Sequence, residues 1–503
     1  MSNMEISAIQ EFYKGTNVFL TGGTGFLGKA TIEKLLRNTE VETIYVLIRE
    51  KKGQTPHMRI DSLFDDVLFD RLKKEKPKCR NKVEAIAGDC SIAGLGISIT
   101  DRQRLISNIN VILHVAATVN FNEHIKLAYN INVNGTKDLI NLAREVQNLK
   151  SVVHVSTAYA NCHLREIDEK LYEYPVKYSD VENALEKMTV EQSDLCTPKL
   201  LGQWPNSYTF TKALAESLVK DLGNGLAVGI FRPGIVVSTY KEPFPGWIDN
   251  LYGPTGLAAG AVSGLLRVSY CDGGKLADIV PVDTCVAALI VSAWDVYKRS
   301  QEKTFETIPV YNYVSSTENP ITHEDFKVLN LTHGMDFVPS NAIWKPVALM
   351  TTNYYFYIFL KIFLHIIPAA LLDLCTMLTG GKPKLLRIYK KVHKFSEFLS
   401  YFCLQEWKFS NNNVQNLWLK LNKTDQQLFP MSMQNVSWTL FFRRYIKGIR
   451  QYLLKESDAT LEASRKRFKR FSIAHEVLKL VFYFFGSLLT ASILSRVWNA
   501  ICN

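Results

Sequence analysis

The sequence lacks the features that mark several common classes of protein. Its nine cysteines are scattered and never form a C-x-x-C pair, which argues against a structural zinc site and for a reducing compartment. It has no internal repeat and no low-complexity segment. No zinc finger, RNA-binding sheet signature or long basic arm accompanies the formal charge of +11. We therefore expect neither a metal nor a nucleic-acid partner.

An apolar N-terminal stretch of the kind found in signal peptides is also missing. Met1–Gly15 is polar and charged, which predicts that the bulk of the chain faces the cytosol. The basic residues are dispersed, with dense runs only at Lys73–Arg80 and Arg465–Arg470. Such an excess suits anionic phosphate ligands and an acidic membrane surface.

What the sequence contains, between Asn17 and about Val237, is an alternation of β-branched runs and helical patterns. The runs are Asn17–Leu20, Thr43–Ile48, Val83–Ala87, Val111–Ala116, Ser151–Val155 and Ala227–Phe231. The helical patterns are Lys29–Arg37, Tyr129–Val146 and Tyr208–Leu222. Nearly continuous apolar runs are typical of parallel strands that are covered on both faces. We predict an α/β fold built on a doubly wound parallel sheet of the Rossmann type.

The rest of the chain is predicted to hold a substrate subdomain, a second domain and a membrane helix. Pro/Gly-rich loops up to about Pro320 favour a substrate lid without a core of its own. The expected division is a nucleotide-binding domain at residues 1–335, a smaller and mainly helical domain at 340–456, a basic linker at 457–470 and a membrane helix at 471–495.

One apolar stretch of the second domain, Val347–Leu378, has two interpretations. It is interrupted by Lys361, His365, Pro368 and Asp373, which argues against a membrane span and favours a buried helical hairpin. The alternatives are that it lines a channel for an apolar ligand or lies in a membrane interface.

A glycine-rich loop follows the first strand and opens directly into a helix. Gly22 permits a tight turn, Gly25 lets the backbone approach a pyrophosphate, and Gly28 lets the helix pack on the strand. The N-terminus of the helix attracts phosphate charge. The residues expected to bind a dinucleotide are Thr21, Gly22, Gly25, Phe26, Leu27 and Gly28.

The end of the second strand indicates which dinucleotide is bound. Units that bind NAD carry an acidic residue there, whereas this strand ends in Arg49, followed by Glu50. A guanidinium can pair with a 2′-phosphate, so NADPH is favoured. The alternative is that Arg49 points to solvent and Glu50 takes a ribose hydroxyl. Asp89, at the end of the third strand, would accept a hydrogen bond from the adenine amino group or simply cap a turn.

Three residues form the predicted catalytic set. Tyr208 and Lys212 are four apart at the start of a helix, so they share one face. A nearby ammonium favours the phenolate of a tyrosine, and Lys212 would also bind the nicotinamide ribose. Thr157, which we prefer to Ser156, follows the fifth strand and would help Tyr208 hold a substrate oxygen. A hydroxyl in that place can equally cap the next turn.

With these residues in place, the chain from Val18 to about Glu456 resembles a eukaryotic fatty acyl-CoA reductase. The motifs that carry the resemblance are TGGTGFLGK, YVLIREKKGQTP, HVAATVNF, HVSTAYAN, YTFTKALAE, FRPGIV, YNYVSSTENPIT, HIIPAALLDL, LLRIYKKVHKFSEFLSYF, EWKFSNNNV and GIRQYLLKE. The resemblance implies reduction of a long-chain acyl-CoA to a primary alcohol with two NADPH, and places Arg232-Pro233 beside the nicotinamide. His114 and His154 lie inside strand runs and are interpreted as core residues.

Two rival functions differ from this one in class or substrate. Another extended short-chain enzyme, such as a hydroxysteroid dehydrogenase or a sugar-nucleotide epimerase, would leave the region after Trp344 unexplained. A non-catalytic NADP-binding scaffold predicts damage to the catalytic set, yet Tyr208, Lys212 and Thr157 are all present.

A membrane anchor is predicted near the C-terminus. A basic cluster, Arg465–Arg470, precedes an apolar stretch that includes Leu480–Ser495, and Lys479 at its start can reach the headgroups. Positive charge on the N-terminal side keeps the catalytic domain in the cytosol, and insertion after translation as a tail anchor is expected. The alternative is an amphipathic helix in the interface. The resemblance implies the endoplasmic reticulum, which we favour, or the peroxisome; the oligomeric state is left open.

Overall fold

The computed structural model describes residues 6–302 and 307–502, apart from the side chains of Leu489 and Cys502. The first five residues of the polar N-terminal stretch therefore lie outside the described part. The chain groups into two compact units that alternate along the sequence. The first comprises residues up to Asp249, Gly274–His323 and Tyr401–Phe441, and the second comprises Asn250–Gly273, Glu324–Ser400 and the chain from Phe442 onward.

The first unit is built on a parallel sheet of seven strands. These are β1 (Asn17–Thr21), β2 (Thr43–Ile48), β3 (Val83–Ala87), β4 (Val111–His114), β5 (Ser151–Val155), β6 (Val228–Pro233) and β7 (Val310–Tyr313). Their order across the sheet is β7-β6-β5-β4-β1-β2-β3, with every neighbouring pair parallel. The order reverses at β1, as in a doubly wound fold. The predicted α/β Rossmann sheet is confirmed, with one strand more than the six apolar runs indicated.

Helices cover both faces of this sheet. Within the first unit the helices of eight or more residues are Phe26–Asn38, Pro56–Phe64, Ile99–Asn108, Gly135–Glu145, Tyr178–Lys187, Val190–Leu201, Ser207–Leu222, Val282–Gln301 and Asn412–Lys420. The predicted helix Tyr129–Val146 is divided into Ile125–Tyr129, a π-helical turn at Asn130–Asn134, and Gly135–Glu145.

The region from Val237 to Pro320 contains more regular structure than loops that form a lid. Helix Val282–Gln301 packs against helix Phe26–Asn38 and strand β5, and most of its side chains are buried. Strand β7 follows it. The expectation of an irregular lid is therefore wrong for these elements, because both complete the core of the first unit.

The second unit is mainly helical, as predicted. Its principal helices are Pro254–Val262, His323–Asp336, Tyr354–Lys361, Ile367–Leu378, Leu385–Cys403, Trp438–Gly448 and Leu461–Cys502. A short parallel pair, Val268–Tyr270 with Leu349–Thr351, is its only sheet among the described residues. Two helical stretches, Tyr354–Leu378 and Asp458–Ile501, are long and apolar enough to cross a membrane by length and composition.

The stretch Val347–Leu378 is not a buried hairpin. Helices Tyr354–Lys361 and Ile367–Leu378 are joined by a π-helical turn, Ile362–Ile366, into one continuous helix of 25 residues. Only 17% of its most apolar segment is buried. Pro368 does not break the helix because it follows the π-helical turn directly, in the first turn of Ile367–Leu378.

Candidate active site

The glycine loop joins β1 to helix Phe26–Asn38. Gly22 has a φ of +73°, and a Cβ there would lie 2.7 Å from the amide nitrogen of Ala116. A Cβ on Gly28 would collide with the carbonyl oxygen of Gly22. Gly25 caps the helix without a side-chain hydrogen bond. The loop therefore presents bare backbone at a helix N-terminus, which is the cradle that a pyrophosphate requires.

Thr21 is the last residue of β1, directly before this loop, and its hydroxyl faces the sheet. Its Oγ1 is 2.7 Å from Nδ1 of His114 and accepts a hydrogen bond from the backbone N–H of Ala116 at 3.2 Å. The other ring nitrogen of His114 is 3.0 Å from Oγ1 of Thr136. Burial, and less strongly Lys212, lower the pKa of His114 to about 3. His114 is thus a neutral core residue, and Thr21 fixes the loop to β4.

Two arginines meet near the end of β2. One guanidinium nitrogen of Arg59 donates to the carbonyl oxygen of Arg49 at 2.6 Å, and another lies 3.3 Å from Oγ1 of Thr24 in the glycine loop. Burial and the charge of Arg49 lower the pKa of Arg59. The guanidinium of Arg49 is half exposed, 3.6 Å from a carboxylate oxygen of Asp89. Two cationic side chains therefore lie beside the glycine loop, where an anionic group could pair with them.

Arg59 is not among the residues predicted from the sequence, since it lies on helix Pro56–Phe64, ten residues beyond Arg49. Asp89 fits the interpretation that it holds a turn, while its predicted hydrogen bond from the adenine amino group stays a prediction. One carboxylate oxygen accepts hydrogen bonds from the backbone N–H and the hydroxyl of Ser91, at 2.9 and 2.8 Å, so it holds a turn. The other oxygen faces Arg49.

Tyr208 and Lys212 lie one turn apart on helix Ser207–Leu222, whose N-cap is Asn206. Lys212 is 1% exposed, and its Nζ donates to the carbonyl oxygen of Val155 at 2.7 Å. Burial lowers the pKa of Lys212 to about 8, although Glu216 acts in the opposite direction. Burial raises the pKa of Tyr208 to about 12, although a hydrogen bond with Thr157 lowers it. Tyr208 is therefore a protonated phenol at neutral pH, rather than the phenolate that a nearby ammonium would favour.

Adjacent hydroxyls, Ser156 and Thr157, have different partners. Ser156 donates to a carboxylate oxygen of Glu216 at 2.5 Å, so its hydroxyl is turned away from Tyr208. The hydroxyl of Thr157 lies on the side of Tyr208 and acts to lower the pKa of its phenol. Its Oγ1 also accepts from the backbone N–H of Tyr159 at 3.3 Å. The structure brings Tyr208, Lys212 and Thr157 together, and Thr157 caps the next turn at the same time.

Arg232 forms an ion pair and hydrogen bonds with other residues of the first unit. It is fully buried and pairs with Glu216 through two nitrogens, at 2.8 and 2.6 Å. Its remaining N–H groups donate to the carbonyl oxygens of Asp168 and Lys170. The guanidinium therefore ties β6 to the segment after β5.

Two further features of the site have no simple signal in the sequence. Asn132, on the π-helical turn, donates to Oγ1 of Thr211 at 2.9 Å and accepts from the N–H of Thr118 at 3.0 Å, so it steadies the helix next to Lys212. An aromatic cluster lies beside Tyr208: Phe121 stacks on it at 5.8 Å, and Phe402 contacts Phe121. Its other members are Tyr159 and Trp407.

A doubly wound sheet with a bare glycine loop and a Tyr–Lys–Thr set defines an oxidoreductase of the short-chain dehydrogenase/reductase type. Two family profiles, both described as male sterility protein, match residues 20–289 and 364–456. The first of them is a NAD-binding family, which supports binding of a nicotinamide cofactor by the first unit.

Relatives match across most of the chain. Fatty acyl-CoA reductase wat of Drosophila melanogaster is 44% identical, covering 95% of this chain and 92% of that protein. Fatty acyl-CoA reductase 1 of Rattus norvegicus is 40% identical and that of Homo sapiens 38%, each covering 92% of this chain and 89% of the relative. The chain belongs to the fatty acyl-CoA reductase family.

Solved structures agree in fold. The reductase domain of a nonribosomal peptide synthetase from Mycobacterium tuberculosis superposes with a TM-score of 0.57 at 18% identity, covering 90% of this chain and 94% of that one. The terminal R domain of the myxalamid pathway superposes with a TM-score of 0.55 at 17% identity, covering 87% and 90%.

Proposed function

We propose that this protein reduces long-chain fatty acyl-CoA to the primary fatty alcohol, through an aldehyde, with release of coenzyme A and consumption of two NADPH. The observation that carries the proposal is the half-buried Tyr208 next to the buried Thr157 and Lys212, flanked by the aromatic cluster. Membership of the fatty acyl-CoA reductase family supports acyl-CoA as the substrate.

The residues have distinct roles in this reaction. Bound NADPH supplies the hydride. Tyr208 and Thr157 hydrogen-bond to the carbonyl oxygen of the acyl group as negative charge develops on it, which stabilises the transition state for addition of the hydride. The tetrahedral intermediate then reforms the carbonyl group and expels coenzyme A as its thiolate, which leaves the aldehyde. In the second reduction, Tyr208 donates its proton to the oxygen of the aldehyde as it becomes an alcohol. Lys212 binds the nicotinamide ribose and holds the helix against β5.

NADPH rather than NADH is the proposed reductant. The support is the pair Arg49 and Arg59, which concentrates positive charge at the end of β2 where an enzyme specific for NAD would place a carboxylate. Gly22, Gly25, Phe26, Leu27 and Gly28 would hold the pyrophosphate through backbone N–H groups, and Asp89 would face the adenosine.

We further propose that the C-terminal helix, Leu461–Cys502, anchors the protein in a membrane and leaves the catalytic unit in the cytosol. Its apolar part is exposed throughout the described side chains, and its basic residues precede that part. The endoplasmic reticulum is favoured, with the peroxisome as the alternative. The predicted linear division into residues 1–335, 340–456, 457–470 and 471–495 stays a prediction, and the two compact units of the structure divide the chain differently because they alternate along it.

The test is stoichiometric. Membranes that contain the protein are supplied with palmitoyl- or stearoyl-CoA, and NADPH oxidation is compared with alcohol measured by gas chromatography. About two NADPH per alcohol are expected, since a thioester needs four electrons to become an alcohol. Accumulation of aldehyde at one NADPH each contradicts the four-electron reaction, and turnover of a hydroxysteroid but not of acyl-CoA contradicts the substrate class.

A further inference from the structure

The helix Tyr354–Leu378, here called the apolar helix, exposes large hydrophobic side chains along its whole length. They are Tyr354, Tyr355, Phe356, Phe359, Ile362, Phe363, Ile366, Ile367, Leu371, Leu372, Leu374, Met377 and Leu378, each between 37% and 84% exposed. A contiguous apolar surface of this kind is rare on soluble proteins and marks a site of contact with a partner or a membrane.

The opposite face of the apolar helix is held by polar contacts within the second unit. Tyr357, Lys361, His365, Ala369 and Asp373 recur at a spacing of four residues, so they form one stripe along the helix. Tyr357, His365, Ala369 and Asp373 are buried, and the side chain of Lys361 is 15% exposed. Three of the four interruptions that argued against a membrane span, Lys361, His365 and Asp373, are therefore residues that face the protein.

Three members of the stripe have a polar partner within the second unit. Nζ of Lys361 is 3.7 Å from Glu397. His365 accepts a hydrogen bond from the backbone N–H of Arg267 at 2.9 Å. Asp373 accepts from three backbone N–H groups at the start of helix Leu385–Cys403, at 2.9 to 3.0 Å.

These contacts argue against a helix that crosses the bilayer. A span of 25 residues is about 37 Å long, so its middle would lie at the centre of the hydrocarbon. There the guanidinium of Arg267 donates to the carbonyl oxygen of Leu364 at 3.1 Å. Placing the charge of Arg267 at that depth costs free energy. If the helix lies in the interface, the stripe that faces the protein stays in a polar environment.

A basic surface follows the apolar helix. Lys382, Lys384, Arg387, Lys390, Lys391 and Lys394 are exposed, and in the part of the chain that the structure describes none of them forms an ion pair. No acidic residue occurs from Leu374 to Ser396. Six unpaired cations next to exposed apolar residues complement the anionic headgroups and the acyl region of a membrane.

We propose that the apolar helix lies in the plane of the membrane interface, with its exposed face in the acyl region and the six basic residues on anionic lipid headgroups. This contact is separate from the C-terminal helix and does not depend on the proposed reaction.

The test uses the full chain in sealed phosphatidylcholine vesicles that contain about one third phosphatidylserine, an anionic surface of the kind in question. A photoreactive benzophenone amino acid replaces either Phe359 or Phe363 on the exposed face, or Tyr357 on the protein face as the matched control. With radiolabelled phosphatidylcholine, we expect lipid adducts at Phe359 and Phe363 at least about tenfold above those at Tyr357, because a buried side chain does not reach lipid. Equal labelling of all three, or adducts between two copies of the protein in place of lipid, would overturn the proposal.

A second experiment distinguishes an apolar helix that lies in the membrane interface from one that spans the bilayer. Thr352→Cys and Lys382→Cys place thiols at the two ends of the helix, and a membrane-impermeant maleimide is added outside the vesicles. Both positions should label above the wild-type background without detergent. Protection of one end until detergent is added would mean that the helix spans the bilayer and that the proposal is wrong.

A third arm tests the basic surface. Lys390→Gln, Lys391→Gln and Lys394→Gln together should reduce lipid adducts at Phe363 about tenfold on anionic vesicles and little on neutral ones, because surface attraction requires both charges. Lys177→Gln, Lys187→Gln and Lys199→Gln, which remove three exposed charges from the first unit, are the control. Equal loss in both triple variants would overturn the assignment of these lysines.

Discussion

The ammonium of Lys212 donates a hydrogen bond to the main-chain oxygen of Val155, the last residue of β5, at 2.7 Å. This contact joins the helix that carries Tyr208 to the strand that leads into Thr157. The three side chains are thereby held in one arrangement before any ligand binds, which is the preorganisation that an oxyanion site requires. It also keeps the ammonium buried, so the pKa of Lys212 falls to about 8.

Replacing the phenol tests the proton donor. Tyr208→Phe removes the hydroxyl and keeps the ring that stacks on Phe121, so turnover should fall by about 10²- to 10⁴-fold, as is typical when a general acid is lost. NADPH binding, measured by fluorescence titration, should persist. Tyr252→Phe, at an exposed position, is the control and should behave as wild type; a Tyr208→Phe variant that does the same would remove Tyr208 from the mechanism.

Substitutions of the neighbouring residues Thr157 and Ser156 should affect different properties, the first catalysis and the second stability. Thr157→Val should lower kcat by about 10²- to 10³-fold, the usual effect of losing an oxyanion donor. Ser156→Ala should instead lower the free energy of unfolding by about 1–3 kcal/mol, because it leaves the buried carboxylate of Glu216 one hydrogen bond short. Steady-state kinetics and urea unfolding check the pair. The reverse pattern would assign the catalytic hydroxyl to Ser156.

Cofactor preference is expected to depend on both arginines near β2. Arg49→Ala and Arg59→Ala should each raise the KM for NADPH about tenfold or more, since each removes a charge-assisted hydrogen bond to phosphate, and should barely change the KM for NADH. Arg71→Ala, which removes an exposed arginine paired only with Glu75, controls for net charge. Equal effects on both cofactors would argue against binding of a 2′-phosphate.

The pH profile should report Lys212. Because burial lowers its pKa to about 8, the ammonium is present below that pH and is lost above it, while Tyr208, with a pKa raised to about 12, stays protonated. The value of kcat/KM for NADPH should therefore decline above pH 8 with the loss of one proton. Lys212→Arg keeps its charge and should abolish this decline, although its rate is lower. A wild-type profile that stays flat through this range would exclude the lysine.

Removing the C-terminal helix should change how the protein is held on membranes. Deletion after Asp458 should move much of the protein into a soluble or salt-extractable fraction, and NADPH binding should remain because the site lies in the first unit. An unrelated apolar span fused after Asp458 should restore resistance to alkaline carbonate. If the truncated protein itself resists carbonate, the anchor lies elsewhere, with the apolar helix as the next candidate.

Six of the seven strands could be predicted from the sequence, because apolar and β-branched residues dominate the run that forms each of them. The seventh strand could not, because Asn312 interrupts its apolar run. That residue is buried, and its amide donates to the carbonyl oxygens of Ile167 and Ser410, which only the fold brings near. A polar side chain satisfied by distant partners cannot be distinguished from a loop residue in the sequence.

Tyr208 and Lys212 could be predicted as site residues because they lie four positions apart in one short motif. Partners distant in the sequence were not predictable. Arg59 reaches the glycine loop from a separate helix, and Phe402 reaches Phe121 across about 280 residues of chain. The prediction of a buried hairpin at Val347–Leu378 was wrong because the polar residues recur at a spacing of four. They therefore lie on one face of a single helix, and the remaining faces are apolar.

The interleaving of the two units has a consequence for synthesis on the ribosome. Strand Glu166–Ile167 pairs with Lys408–Phe409, so the first of these strands emerges more than 200 residues before its partner. At ribosomal rates of roughly 5–20 residues per second, the incomplete unit waits on the order of tens of seconds. During that time the apolar helix also emerges, so the nascent chain exposes an unpaired strand and a hydrophobic helix together. Its yield in cells should therefore depend on chaperone capacity more than the stability of the finished protein would suggest.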